Sequence, residues 1–160
     1  MSKLIRKPVE CSALLLGFMC MLATYASAQT PAGSIKALTG SVSIERAGKA
    51  LPAASGTAVQ VGDKLTTGPK SDVTVGLSDG SEVELNESST LVLTENILNP
   101  DGSRASTKVT LLDGLVRSLV KVAPGHPPNF EVHTPNAVAS ARGTMFEVAY
   151  HNNQAPPALP

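Results

Sequence analysis

Tryptophan is absent from the 160-residue chain, and the other aromatics amount to three phenylalanines and two tyrosines. Platforms on which bases or sugars stack are therefore not to be expected. Cysteine occurs twice, at Cys11 and Cys20, and nowhere after residue 20. No thiol nucleophile and no disulfide framework can be built from the rest of the chain. The charges balance, with 13 Lys+Arg against 13 Asp+Glu, so no basic patch attracts nucleic acid or anionic lipid. A helical stripe is missing too: past the first 28 residues no ten-residue stretch shows apolar spacing of three and four. Long apolar runs are confined to "CSALLLGFMCMLATYA" near the start.

That run follows Lys3, Arg6 and Lys7 and ends at Ala26-Ser27-Ala28. A basic start, a short apolar stretch and small residues make the layout of a secretory signal peptide over residues 1–28, cleaved before Gln29. The apolar stretch is shorter than the ~20 residues of a membrane-spanning helix; a retained anchor is the alternative. Bulky Phe18 and Met19 before Cys20 argue against lipoprotein processing there. Cleavage removes both cysteines and leaves a slightly acidic chain of ~130 residues, a usual size for one domain held by its own core. Its expected location is periplasmic or secreted, with no stable membrane span.

What fills the remainder is alternation. "SVSIE" puts Val42 and Ile44 on one face, "DVTVGL" groups Val73, Val75 and Leu77, "SEVEL" pairs Val83 with Leu85, and "TLVLT" pairs Leu91 with Leu93. "KVTL" pairs Val109 with Leu111, and "VRSLVKV" puts Val116, Ser118, Val120 and Val122 on one side. Phe130 and Val132 follow, then Phe146, Val148 and Tyr150. Such runs are half-buried strands. Between them lie "RAGKALP", "VGD", "TTGPKSD", "SDGS", "NPDGS", "LDG" and "APGHPPN", all turn chemistry. The reading is an all-β domain over 35–150 of about nine to eleven short strands. A flexible start over 29–34 precedes it, and a disordered Pro-rich tail over 151–160 follows. "LSDGSEVEL" (77–85) resembles "LLDGLVRSL" (111–119), so a strand–turn–strand unit is expected to recur. That favours a β-roll or short β-solenoid-like stack, with a β-sandwich as the alternative.

Candidate chemistry is sparse. His133 and Glu131 share a strand face and could supply two metal ligands, but a stable zinc site needs three or four; a solvated face is the preferred reading, with no cofactor and no metal. Asp63, Asp79, Asp101 and Asp113 each adjoin a glycine and read as turns, since the dense Asp-x-Asp pattern of calcium loops is missing. No Gly-x-Ser-x-Gly, HExxH or phosphate loop occurs. A dispersed hydrolase around His126 or His133 is the remaining enzymatic alternative, without a visible nucleophile–base pair.

"VGDKLTTGPKSDVTVGLSDGSEVELNESSTLVL", "VTLLDGLVRSLV" and "FEVHTPNAVASARGTMFEV" together resemble the FecR protein domain, over roughly residues 41 to 148. The motif elements are Gly62-Asp63, Thr67-Gly68, Asp79-Gly80-Ser81, Ser89, Asp113-Gly114, Phe130, Thr134-Pro135 and Gly143-Thr144 with Phe146. The resemblance implies an extracytoplasmic, all-β, non-enzymatic domain for signalling or binding. In the family's membrane-spanning regulators that domain receives a signal from an outer-membrane transporter, and a cytoplasmic segment controls a sigma factor. Here the expected leader takes the place of the cytoplasmic domain and anchor of those regulators. The expectation is thus a stand-alone domain binding an envelope protein or surface glycan, or alternatively the periplasmic component of a split sigma-factor system. Exposed edge strands can pair with a second copy, so a homo-oligomer is an expected partner state. Pro135 marks a strand boundary. The apolar face switches parity near Gly143, which reads as a bulge or bend. Arg142 beside it is a solvated or locally paired charge, or else a partner contact.

Overall fold

The computed structural model describes residues 30–125, 127, 129–141 and 145–152. These form twelve strands and no helix: β1 (Gly33–Thr39), β2 (Val42–Arg46), β3 (Lys49–Pro52), β4 (Ala58–Val59), β5 (Lys64–Thr67), β6 (Asp72–Leu77), β7 (Glu82–Leu85), β8 (Thr90–Leu98), β9 (Arg104–Leu119), β10 (Phe130–Thr134), β11 (Ala137–Ser140) and β12 (Met145–Tyr150). The fold is all-β, as expected, and takes the form of an open sheet curled into a half-barrel. Alternation is the cause. Val73, Val75, Leu77, Val83, Leu85, Leu91, Leu93, Val109, Leu111, Phe130 and Val132 are all buried, and strands with one apolar face gain most by curling that face around a shared core.

One strand joins the two halves of the curl. The first part of β9 pairs antiparallel with β8, from Leu98 opposite Arg104 to Thr90 opposite Asp113. It also pairs in parallel with β10, Phe130 to Thr107 through His133 to Thr110. The second part pairs antiparallel with β7, Leu85 opposite Val116, and with β12, Val148 opposite Val116. One half thus runs β4-β1-β6-β7-β9-β12 and the other β3-β2-β5-β8-β9-β10-β11. Both feed a single core that includes Ile35, Val73 and Val116 with Ile44, Leu65 and Phe130.

Where β9 passes from one half to the other, its buried parity changes. Thr107, Val109 and Leu111 face inward, then Gly114, Val116 and Ser118 do. The ladder with β8 shifts between Thr90 and Leu91 at the same place. This is a β-bulge, which turns the strand and swaps its faces. It corrects the expectation of a recurring strand–turn–strand unit. At 77–85 the chain does reverse: Gly80 N donates to Leu77 O and Leu77 N to Ser81 O. At 111–119 it runs straight on, and Asp113 is a strand residue, not a turn residue. An Asp-Gly pair supplies a positive φ in either setting, at Gly80 (84°) and Gly114 (94°) alike, so the pattern cannot tell a hairpin from a bulge. The two copies lie side by side as antiparallel neighbours, Val83 opposite Ser118.

Other differences have equally local causes. Val122, which alternation groups with Val116 and Val120, is exposed because β9 ends at Leu119. The segment expected as a flexible start holds the first residues of β1, and Ala32 is buried with its N–H on Val59 O. β1 escapes a period-two search because a bulge between Ile35 and Ala37 breaks its alternation. β3 hides in "RAGKALP", where only Ala47 and Gly48, both at positive φ, turn the chain. In β5 the inward residues are Leu65 and Thr67, one apolar and one polar.

On the outer side of the β8–β9 hairpin, the Glu95 carboxylate accepts from Ser106 Oγ and pairs with Lys108 Nζ at 3.1 Å. The Ser106 hydrogen bond, then that of Lys108, hold its pKa below the ordinary carboxylate range. A depressed folded-state pKa contributes stability that is present above the unfolded pKa and lost as pH falls through the folded value. Carboxyl NMR titration is expected to place Glu95 below the ordinary glutamate value, and Ser106→Ala to move it back up. An unmoved titration in that variant would show that the hydroxyl is not the cause.

Candidate functional site

The residues singled out in the sequence gather in three places. At the first, Gly62 turns the chain at φ 92°, and Asp63 is wholly buried. Its carboxylate accepts from Arg46 Nε and Nη2, both at 2.7 Å, and from Gln60 N at 2.8 Å. Arg46 also donates to Ala58 O. The Asp63 hydrogen bond raises the Arg46 pKa. This charge-assisted fork ties β2 to the turn before β5.

At the second, Thr67, Ser89 and Gly114 meet at the bulge. Thr67 N donates to Ser89 O, and Ser89 N to Thr67 Oγ1, both at 3.0 Å. Thr67 Oγ1 in turn donates to Asn86 O. Ser89 Oγ donates to Glu87 O and accepts from Leu115 N at 3.0 Å. The bulge leaves backbone groups without ladder partners, and the buried hydroxyls satisfy them.

The third is the richest. Asp79 accepts from Ser81 N and Ser81 Oγ, at 3.0 and 2.9 Å, and pairs with Arg104 Nη2 at 3.2 Å. Both side chains of that pair are almost fully buried. Arg104 Nη2 also donates to Lys121 O, while Lys121 N donates to Ser81 Oγ. The guanidinium lies 5.5 Å from the centre of the Phe130 ring, and Phe130 meets Phe146 edge to face at 5.8 Å. Burial pushes the Arg104 pKa down from its ordinary value, and Asp79 pushes it back up. The Lys121 stem crosses Gly80, where a Cβ would sit 3.1 Å from its Cδ. A cavity of about 230 Å³ opens beside this cluster.

Asp79, Gly80 and Phe146 are therefore brought together, through Arg104 and Phe130. Arg104 and Lys121 escaped the sequence reading, and so did Arg46. A lone arginine after "NPDGS" carries no mark that separates it from a solvated charge, because its partner Asp79 lies across the fold. Pro135 and Asn136 form the turn between β10 and β11, with Thr134 opposite Ala137. Arg142, Gly143, Thr144 and His126 lie outside the described residues, and so does the proposed leader. Of the expected Pro-rich tail only His151 and Asn152 are described. His133 Nε2 sits 2.8 Å from Glu131 Oε2 on a half-exposed face. Among the described residues no group of three or more His, Cys, Asp and Glu is placed to hold a metal.

Outside the core, Arg117 of β9 bridges Glu84 of β7 and Glu147 of β12, at 3.4 and 3.1 Å. Beside this ladder Met145 and its cross-strand partner Leu119 are both exposed, at 64% and 44%. β12 pairs with β9 along one side and with no strand among the described residues along the other. No helix of the described residues is long and apolar enough to cross a membrane.

No curated protein and no solved structure matches the chain. A family model does: the one described as FecR protein matches residues 63–156, beginning at buried Asp63 and leaving β1 to β4 ahead of it. The match covers more than half of the chain and takes in the second and third clusters and Asp63 of the first, so the chain belongs to the FecR family, a regulatory signalling family associated with sigma-factor systems.

Proposed function

We propose that this chain is an exported, non-enzymatic FecR-type domain that binds an envelope protein or surface glycan in cell-surface signalling. The family match carries this reading. The signal-peptide layout of residues 1–28 supports export to the periplasm or beyond it. The free side of β12, with Met145 and Leu119 exposed beside the Glu84–Arg117–Glu147 ladder, suits a protein partner: an apolar contact next to charges that set register. The same family association favours a second reading, the periplasmic component of a split sigma-factor system. Deleting the gene tests the second, since it requires an altered transcript profile and an unchanged one would sink it.

The protein, tagged and incubated with native envelope extract, is expected to recover a specific partner identified by mass spectrometry. Met145→Glu should reduce that recovery at least about tenfold without altering the melting temperature, the effect of losing one central apolar contact. Recovery of nothing above background would sink the proposal. Equal recovery by the variant would move the contact away from β12.

A further inference from the structure

We propose that the cavity beside Arg104 binds a small ligand through an oxyanion group, a carboxylate or a phosphate. The first ground is the guanidinium itself. Arginine carries five N–H donors, and here only Nη2 has partners, Asp79 and Lys121 O. Nε and Nη1 are buried with none. Leaving charged donors unsatisfied is costly, and an incoming oxyanion relieves that cost.

The second ground is the charge balance of the walls. The cavity of about 230 Å³ is lined by Asp79, Asp101, Ser103, Arg104, Lys121 and Pro127 among others. Both acidic residues already hold donors of their own loops: Asp79 accepts from Ser81, and Asp101 Oδ1 accepts from Ser103 N and Oγ. The Lys121 ammonium makes no ion pair among the described residues, and its stem over Gly80 brings it to the cavity. The formal charges of Asp79, Asp101, Arg104 and Lys121 cancel, and what is left without partners is a surplus of cationic N–H donors. A planar guanidinium beside an exposed ammonium matches a carboxylate or phosphate and disfavours a cation.

The third ground is size. The cavity lies below the range of about 300–1,000 Å³ usual for drug-sized ligands. It suits one small acid, or the acidic end of a longer molecule. This assignment rests on the cavity alone and is untouched by the outcome of partner capture.

Inorganic phosphate and sodium glucuronate, each titrated into the ¹⁵N-labelled protein, test it. Sodium chloride at equal ionic strength is the control. The expected result is a saturable shift of the Arg104 side-chain Nε–H and of the Ser103 and Lys121 amides with at least one probe, at millimolar concentration or below. Whichever probe saturates first identifies the preferred group. Lys121→Gln alters an exposed head and leaves the backbone bonds of residue 121 in place. It should fold normally and weaken binding about tenfold. Shifts that follow chloride, fail to saturate, or are unchanged in Lys121→Gln overturn the proposal.

Discussion

Gly114→Ala is expected to destabilise the protein by about 2–5 kcal/mol, a large part of the stability of a domain this size. Two costs combine. Gly114 sits at φ 94°, where an L side chain costs roughly 1–2 kcal/mol. A Cβ there would also lie 1.9 Å from Ser89 Oγ, 2.4 Å from Ser89 Cβ and 2.6 Å from Ser89 Cα. Ser89 cannot move aside, because its hydroxyl holds Leu115 N and its N–H is bonded to Thr67. Overpacking adds about 1–3 kcal/mol. Gly62→Ala isolates the first cost: φ is 92°, but nothing lies within 4 Å of the new Cβ, so about 1–2 kcal/mol is expected. Urea unfolding of the two variants checks the difference. Ser89→Gly in the Gly114→Ala background should restore part of the loss, since the clashes with the serine side chain disappear while the close approach to the backbone of residue 89 stays. Equal losses for Gly114→Ala and Gly62→Ala would show that the strands do not approach so closely at the bulge.

Asp79→Ala should cost about 3–5 kcal/mol, the usual effect of removing one member of a buried ion pair. The carboxylate is the one acidic partner of buried Arg104 among the described residues, and it also holds Ser81 N and Oγ. Its loss leaves a charge facing Phe130 with little else to balance it. The double variant Asp79→Ala/Arg104→Met should recover much of the stability, because no charge then stays buried and a methionine fills the space against the ring. A double-mutant cycle by urea unfolding reads the coupling directly. A loss below about 1 kcal/mol in Asp79→Ala would mean that the pair contributes no more than a surface ion pair does.

These two sites also mark what the sequence can and cannot disclose. The apolar faces of β6, β7, β8 and β10 were legible because each is a strict period-two run, and burial follows the run. The turn at Asp79-Gly80 was legible for the same kind of local reason. The role of Gly114 was not, since its constraint is Ser89, a residue far back in the chain that no spacing rule connects to it. Arg104 was invisible for a related reason: a charge reads as solvated until the fold places Asp79 and Phe130 against it. The family resemblance did carry Ser89, Gly114, Asp79 and Phe130 as separate points on a line. The structure turns that line into two contacts. β1 and β5 were lost to a bulge and to an inward threonine, where the alternating hydrophobic signal is interrupted without the strand being so.

The sharing of β9 between both halves of the sheet bears on how the chain reaches this state. β8, at the end of the β3-β2-β5-β8 run, meets its last partner only when residues 104–113 are in place, and β7, at the end of the β4-β1-β6-β7 run, only when 114–119 are. Neither half can complete its core from its own consecutive strands. Each depends on loop closures that become favourable together, so assembly is slow for the length of the chain and concerted once β9 docks. The bulge at Gly114 then couples the halves mechanically. A fluctuation that frees β9 from β8 also loosens β7 and β12, and the outer edge of β12 and the Arg104 cavity belong to one cooperative unit.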